Sequence, residues 1–199
     1  MTATSPVANS PLIHLHRTAG ATIEFVDGWQ VAVRYPTEPA TESDTLIDIT
    51  HRSVHEIGGG ELEIALQTLC GRELPIRSIH VTDELQCYRL TQDRAIAFGN
   101  VSHPAAIEVT GGWASIALSG PNANTILNKV TALDLRDETL GLHQCCQGPI
   151  FGVNTLIGRF ERHFELHVCP DSLEFLWIVL LDAGEEYEVR PAGLEHFQF

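Results

Sequence analysis

The chain is predicted to adopt an α+β fold, two β-α-β-β units in tandem with antiparallel sheets. Three observations predict it. Short segments of alternating polarity outnumber helical ones, two helical segments each follow a strand and a glycine-containing turn, and that order recurs at nearly equal spacing. With 199 residues, 44% hydrophobic and 19% charged, the chain is long enough to bury the core that such a pair needs. The expected divisions are a flexible leader over 1–11, a first unit over 12–110 and a second over 111–199.

Residues 12–18 carry apolar side chains at 12, 13 and 15 and read as a short helix ending near Gly20. Segments 22–26 and 30–35 alternate and flank Asp27-Gly28, a two-residue hairpin signal. Residues 36–44 form a polar loop. The first unit opens with a strand over 53–57, passes through Gly58-Gly59-Gly60 and enters a helix over 61–70. Leu62, Ala65, Leu66 and Leu69 line one side of that helix, and Gly71 is its stop. An extended linker then leads to strands 85–90 and 95–99.

The second unit opens with a strand over 113–118 and a turn at Ser119-Gly120-Pro121. Pro121 suits the first turn of the helix running to Val130, where its missing N–H has no intrahelical role. A second extended linker leads to strands 152–157 and 164–168. A third helix over 172–182 takes Ser172 or Asp171 as N-cap and Gly184 as stop. Leu173, Leu176, Trp177, Leu180 and Leu181 give it a broad buried face.

Charge narrows the partners. Twenty-six acidic against 12 basic residues give a formal charge of −14, with no basic run to displace counterions from nucleic acid or to meet an anionic membrane. The longest apolar run, 176–181, is too short to span a bilayer. Met1-Thr2-Ala3-Thr4-Ser5 has neither the basic nor the apolar part of a secretory signal. Five cysteines, an odd number with Cys145 and Cys146 adjacent, fit reduced thiols rather than a disulfide framework. The expectation is a soluble, cytoplasmic protein with no nucleic-acid or membrane partner.

The stretch richest in chemistry is Asp83-Glu84-Leu85-Gln86-Cys87-Tyr88-Arg89-Leu90, two carboxylates at the head of a strand. Alternation puts Leu85, Cys87 and Arg89 on one face and Gln86, Tyr88 and Leu90 on the other, leaving one face half apolar. Paired acids there ordinarily keep an edge soluble or begin a turn. His51 and His55 are four apart, as are His163 and His167, but both pairs fall in or beside strands, where that spacing does not converge on a metal as it does on a helix. Gly58-Gly59-Gly60 before a helix suits an anion in principle; Glu61 and Glu63 would repel one, so a flexible turn is expected.

Several segments, in order, carry a family likeness. Asp48-Ile49-Thr50-His51-Arg52 resembles a D-x-S-H segment, and Leu118-Ser119-Gly120-Pro121-Asn122-Ala123 an L-x-G-P-x-A segment. Phe164-Glu165-Leu166…Pro170…Leu176-Trp177…Leu180-Leu181…Ala183-Gly184 resembles F-E-I…P…L-W…L-L…A-G, and Pro191-Ala192-Gly193-Leu194 a P-x-G-L segment. Together these resemble the N-terminal part of the glycine-cleavage T-protein family, the tetrahydrofolate-dependent aminomethyltransferases.

That resemblance implies two related α+β units sharing a folate cleft, with transfer of a methylene group from a carrier-bound aminomethyl donor to tetrahydrofolate. It implies Asp83 and Glu84 as the catalytic acids, from the family's D-D-L-x-V-Y-R-L strand. Glu161, from Y-T-G-E-D-G-F-E, would anchor the pterin with two carboxylate oxygens. Tyr88, Arg89, Asn100 and Arg159 would border the folate.

The departures are specific. Gly158-Arg159-Phe160 stands for Tyr-Thr-Gly, Arg162-His163 for Asp-Gly, and Phe197-Gln198 for the Arg-Asp after P-x-G-L. The family's C-terminal barrel has no counterpart in the sequence. A second resemblance, to the γ subunit of heterotetrameric sarcosine oxidase, implies a non-catalytic accessory subunit or scaffold with a flavin amine oxidase as partner; the first implies a carrier protein.

Overall fold

The computed structural model describes residues 8–197; residues 1–7 of the expected leader, Gln198 and Phe199 lie outside them. The described part of the leader is built into the fold. β1 (Ala8–Asn9) runs parallel to the third strand, and Ser10 is buried. Helix α1 (Ile13–Thr18) and the hairpin β2 (Thr22–Val26) to β3 (Trp29–Arg34) follow as read from the sequence. Asp27 (φ 50°) and Gly28 (φ 84°) are both left-handed, the backbone that joins twisted strands in two residues.

β4 (Thr45–Asp48) leads to the first unit: β5 (Val54–Gly58), α2 (Leu62–Cys70), β6 (Ser78–Val81), β7 (Leu85–Arg89) and β8 (Arg94–Gly99), with β9 (Ala106–Glu108) appended. The second unit is β10 (Ala114–Ser119), α3 (Ala123–Val130), β11 (Cys145–Ile150), β12 (Val153–Arg159) and β13 (His163–Val168). α4 (Pro170–Ala183) and β14 (Arg190–Ala192) close the chain.

The duplication is explicit in the sheets, ordered β6-β7-β8-β5-β9 and β11-β12-β13-β10-β4-β14, so the first four strands correspond one to one. The expected linkers are themselves strands, β6 and β11, and each unit is therefore β-α-β-β-β. These two equivalent edges cover one another. Ile79 N–H donates to His143 O at 2.7 Å and Cys145 N–H to Arg77 O at 2.9 Å, removing two free edges. Pairing is antiparallel except for β1 with β3 and β14 with β4.

Alternation along the strands builds four layers. Leu85, Cys87, Ala95 and Ala97 pack with Leu62, Ala65 and Leu66 of α2. Ile116, Leu118, Phe164 and Leu166 pack with Ile126 and Leu127 of α3 and Leu173, Leu176 and Leu180 of α4. Between the sheets lie Ile79, Tyr88, Ile96, Phe98, Leu156 and Phe160. β7 is thus buried on both faces, because α2 covers one face and the other sheet the second.

Three details differ from expectation. Leu69 and Leu181 are only half-buried at the margins of their helices. α4 begins at Pro170 with Cys169 as N-cap, since proline has no N–H to lose at the first helical position. α3 begins at Ala123, with Pro121 in the turn before it. Asp44 caps that end from outside, accepting Asn122 N–H and Asn122 Nδ2, each at 2.8 Å.

Candidate functional site

The two inner sheet faces are not purely apolar. Gln86 and Tyr88 of β7 face His163, Glu165 and His167 of β13, whose polar residues alternate with the apolar ones that face the helices. Glu165 is fully buried, with Oε2 2.7 Å and Oε1 3.2 Å from the Arg52 guanidinium. It also accepts from Gln86 Nε2 at 3.0 Å and Tyr88 Oη at 3.1 Å. Burial alone would raise this carboxyl, but the Arg52 charge and the hydrogen bonds and histidines around it hold it well below the usual carboxylate range.

His167 Nδ1 meets Ser115 Oγ at 2.8 Å and Nε2 meets Tyr88 Oη at 3.1 Å. Because the Tyr88 hydroxyl donates to Glu165, a neutral ring with its proton on Nε2 satisfies every member. Burial correspondingly lowers His167 from 6.5 to about 3.

Above this core the surface carries two cavities. One, about 350 Å³, is lined by Asp83, Glu84, Gln86, Arg52 and Phe98; the other, about 450 Å³, by Glu161, Arg159, Glu42 and Asn124. Phe160 and His163 line both. Their rings stack at 4.6 Å with 6° between planes, and each residue is 8% exposed. Phe197 meets His163 edge-on at 4.8 Å. The pair is a wall between the cavities, and it is made of the two side chains that stand where the resembled motif has glycine.

The structure therefore divides the expected site residues. Asp83 and Glu84 are exposed on the β6–β7 turn and line one cavity; Glu161 is exposed at the β12–β13 hairpin and lines the other. Asn100 is exposed beside the acid pair, its N–H donating to Glu84 O at 3.2 Å. Arg159 borders the Glu161 cavity but is committed to Leu140 O at 2.9 Å and Asp137 at 2.5 Å. Tyr88 and Arg89 reach neither cavity. Tyr88 is fully buried in the polar core, and Arg89 points to the other side of its sheet, pairing with Glu63 of α2 and donating to Leu74 O.

Residues passed over in the sequence, Arg52, Gln86 and Glu165, hold the two units together beneath the cavities. The signal was the His163, Glu165, His167 alternation, a polar face on a strand whose other face is apolar.

A T-protein-like pair of units with acid-lined cavities over a polar core defines the class of protein. Comparison with known families agrees: residues 90–199 match the GCVT N-terminal domain, and the chain belongs to that family. Aminomethyltransferases of Saccharopolyspora erythraea and Halothermothrix orenii are 26% and 25% identical, over 93% of this chain in each case and 60% and 62% of theirs. The chain thus spans about 60% of the length of these relatives. Among solved structures, glycine cleavage system aminomethyltransferase T from Bartonella henselae superposes with TM-score 0.77 at 21% identity, over 96% of this chain and 61% of that one. A chain of heterotetrameric sarcosine oxidase from Corynebacterium sp. superposes with TM-score 0.68 at 17% identity, over 89% of this chain and 95% of that one.

Proposed function

We propose that this chain is a non-catalytic subunit on the T-protein fold, serving a flavin amine oxidase partner, in which the family's folate cleft is closed by the chain's own side chains. The observation that carries this reading is the Phe160–His163 stack. Folate is elongated and continuous, whereas the residues assigned to its two ends, Asp83 with Glu84 and Glu161, line separate cavities. Glycine at 160 and 163 would leave that space to a ligand; two stacked rings occupy it. In this arrangement tetrahydrofolate does not fit. The near end-to-end superposition on a chain of a heterotetramer supports the partner.

Calorimetric titration with tetrahydrofolate tests the reading. No saturable heat is expected from the unaltered chain, and binding is expected to appear in a Phe160→Gly/His163→Gly variant that keeps its circular dichroism. Micromolar binding by the unaltered chain, lost in Glu161→Ala, would overturn it. That outcome would favour the second reading, tetrahydrofolate binding with one-carbon transfer by Asp83 and Glu84, which rests on carboxylates standing at both family positions.

A further inference from the structure

Two thiols share the layer between α2 and its sheet. Cys70 is the last residue of α2 and Cys87 lies at the middle of β7, and both pack in the cluster of Leu62, Ala65 and Leu66. Their thiols are in hydrogen-bonding contact. His80 is the register partner of Cys87 across β6 and β7 and so stands on the same face. Arg72 lies close enough to act on both Cys70 and His80. The other cysteines are placed differently. Cys145 faces the sheet interface, where its thiol donates to Arg89 O at 3.8 Å, and the adjacent Cys146 packs towards the helices on the opposite face of β11. Cys169 is exposed.

The pair is asymmetric. Cys87 is fully buried, whereas Cys70, at the helix end, keeps 7% of its surface. The hydrogen bond from Cys87 lowers the Cys70 thiol against the effect of burial, with help from the Arg72 charge. The same hydrogen bond, followed by deeper burial, raises Cys87. Cys70 is therefore the sulfur that ionises first and can be reached, and Cys87 is a protonated thiol held behind it.

We propose that Cys70 and Cys87 form a peroxide-responsive dithiol, which closes to a disulfide and locks the end of α2 onto β7. The Cys70 thiolate attacks one oxygen of hydrogen peroxide and breaks the O–O bond. The hydroxide released takes up a proton and leaves as water, and Cys70 becomes a sulfenic acid. Cys87 sulfur then attacks Cys70 sulfur, and the Cys87 proton leaves with the hydroxyl as a second water. Two thiols lose two electrons and one peroxide becomes two waters. The bond closes a loop over 71–86 that contains β6 and the Asp83–Glu84 turn, so it restrains the acid-bearing turn as well as α2. The dithiol does not rest on the partner-subunit reading. A flavin amine oxidase would supply its oxidant, since reduced flavin returns two electrons to dioxygen as hydrogen peroxide.

The test is titration of the reduced, folded chain with hydrogen peroxide, followed by thiol alkylation under denaturing conditions and non-reducing peptide mapping. A peptide pair joined through Cys70 and Cys87 is expected, reversed by dithiothreitol, with a melting temperature raised by about 5–10 °C. Cys87→Ala should leave Cys70 as a sulfenic acid that dimedone traps, with no rise in melting temperature. Cys70 and Cys87 thiols that stay free once the exposed Cys169 is fully oxidised would overturn the proposal. So would a disulfide formed through Cys145 or Cys146 in their place. The map is made on the unaltered chain, so it decides the matter even where Cys87→Ala does not fold.

Discussion

Arg52, between β4 and β5, and Glu165, on β13, form a two-pronged ion pair at 2.7 and 3.2 Å between the two units, with the carboxylate fully buried. Neither partner can be removed without leaving a charge in the sheet interface. Glu165→Gln is expected to cost about 3–5 kcal/mol, chiefly through the stranded guanidinium. Arg52→Met/Glu165→Leu should lose less than the two single changes together, because the desolvation penalty goes with the pair. Urea unfolding of the four forms measures this, and a loss below about 1 kcal/mol for Glu165→Gln would place the pair among those that contribute little.

The polar core also sets an acid limit. His167, lowered by burial from 6.5 to about 3, is neutral in the folded chain while the unfolded chain takes up a proton below 6.5. Stability from this group is full above that value and falls as pH drops towards 3, with a slope of up to about 1.4 kcal/mol per pH unit. Glu165, whose folded pKa is depressed from 4.5, adds a loss of the same sign once the pH passes below the unfolded value. Urea midpoints from pH 7.5 to 4 should decline accordingly. His167→Gln should flatten the upper part of that decline, and an unchanged profile would mean that other groups govern acid unfolding.

Gly158, on β12, is held by packing rather than by backbone conformation. A Cβ there would stand 2.6 Å from Tyr88 Cε1 and Oη and 3.0 Å from Ile79 Cδ1, all from the other unit. Gly158→Ala is expected to cost about 1–3 kcal/mol by overpacking. Gly60→Ala, where nothing lies within 4 Å, should stay within about 0.5 kcal/mol. Thermal melts of the two variants side by side test the contrast.

Much of this architecture was legible in the residues. Asp27-Gly28 marked the hairpin, Gly71 the end of α2, and the recurring strand–glycine–helix order the duplication. What was not legible depends on distant partners. β6 and β11 read as linkers because each is completed as an edge by the other, through Ile79 with His143 and Cys145 with Arg77. Tyr88 and Arg89 belong to a strand that motif reading places beside a ligand, but period-2 alternation sends one into the sheet interface and the other to α2. The division of the cleft was half visible. The loss of two glycines was plain in the sequence, whereas the stacking of their replacements needed the tight turn at Glu161-Arg162.

Asp44 ties the start of β4 to the end of α3 that borders the Glu161 cavity. Its carboxylate accepts Asn122 N–H and Nδ2 at 2.8 Å each, and Gly120 (φ +120°) leaves the space it fills, since a Cβ there would lie 2.4 Å from Asp44 Oδ1. No side chain within the turn caps this helix, so the N–H of its N-cap residue, Asn122, finds its acceptor in Asp44, just before β4. Asp44→Ala is expected to cost about 1–2 kcal/mol, the range for a lost cap, and to speed amide exchange in the first turn of α3. Because Ser119, Gly120 and Pro121 line the Glu161 cavity but not the Asp83–Glu84 one, any ligand of the Asp83–Glu84 cavity should bind the variant with unchanged affinity. Exchange that quickens equally in α2 would show instead that Asp44 acts on the stability of the whole fold.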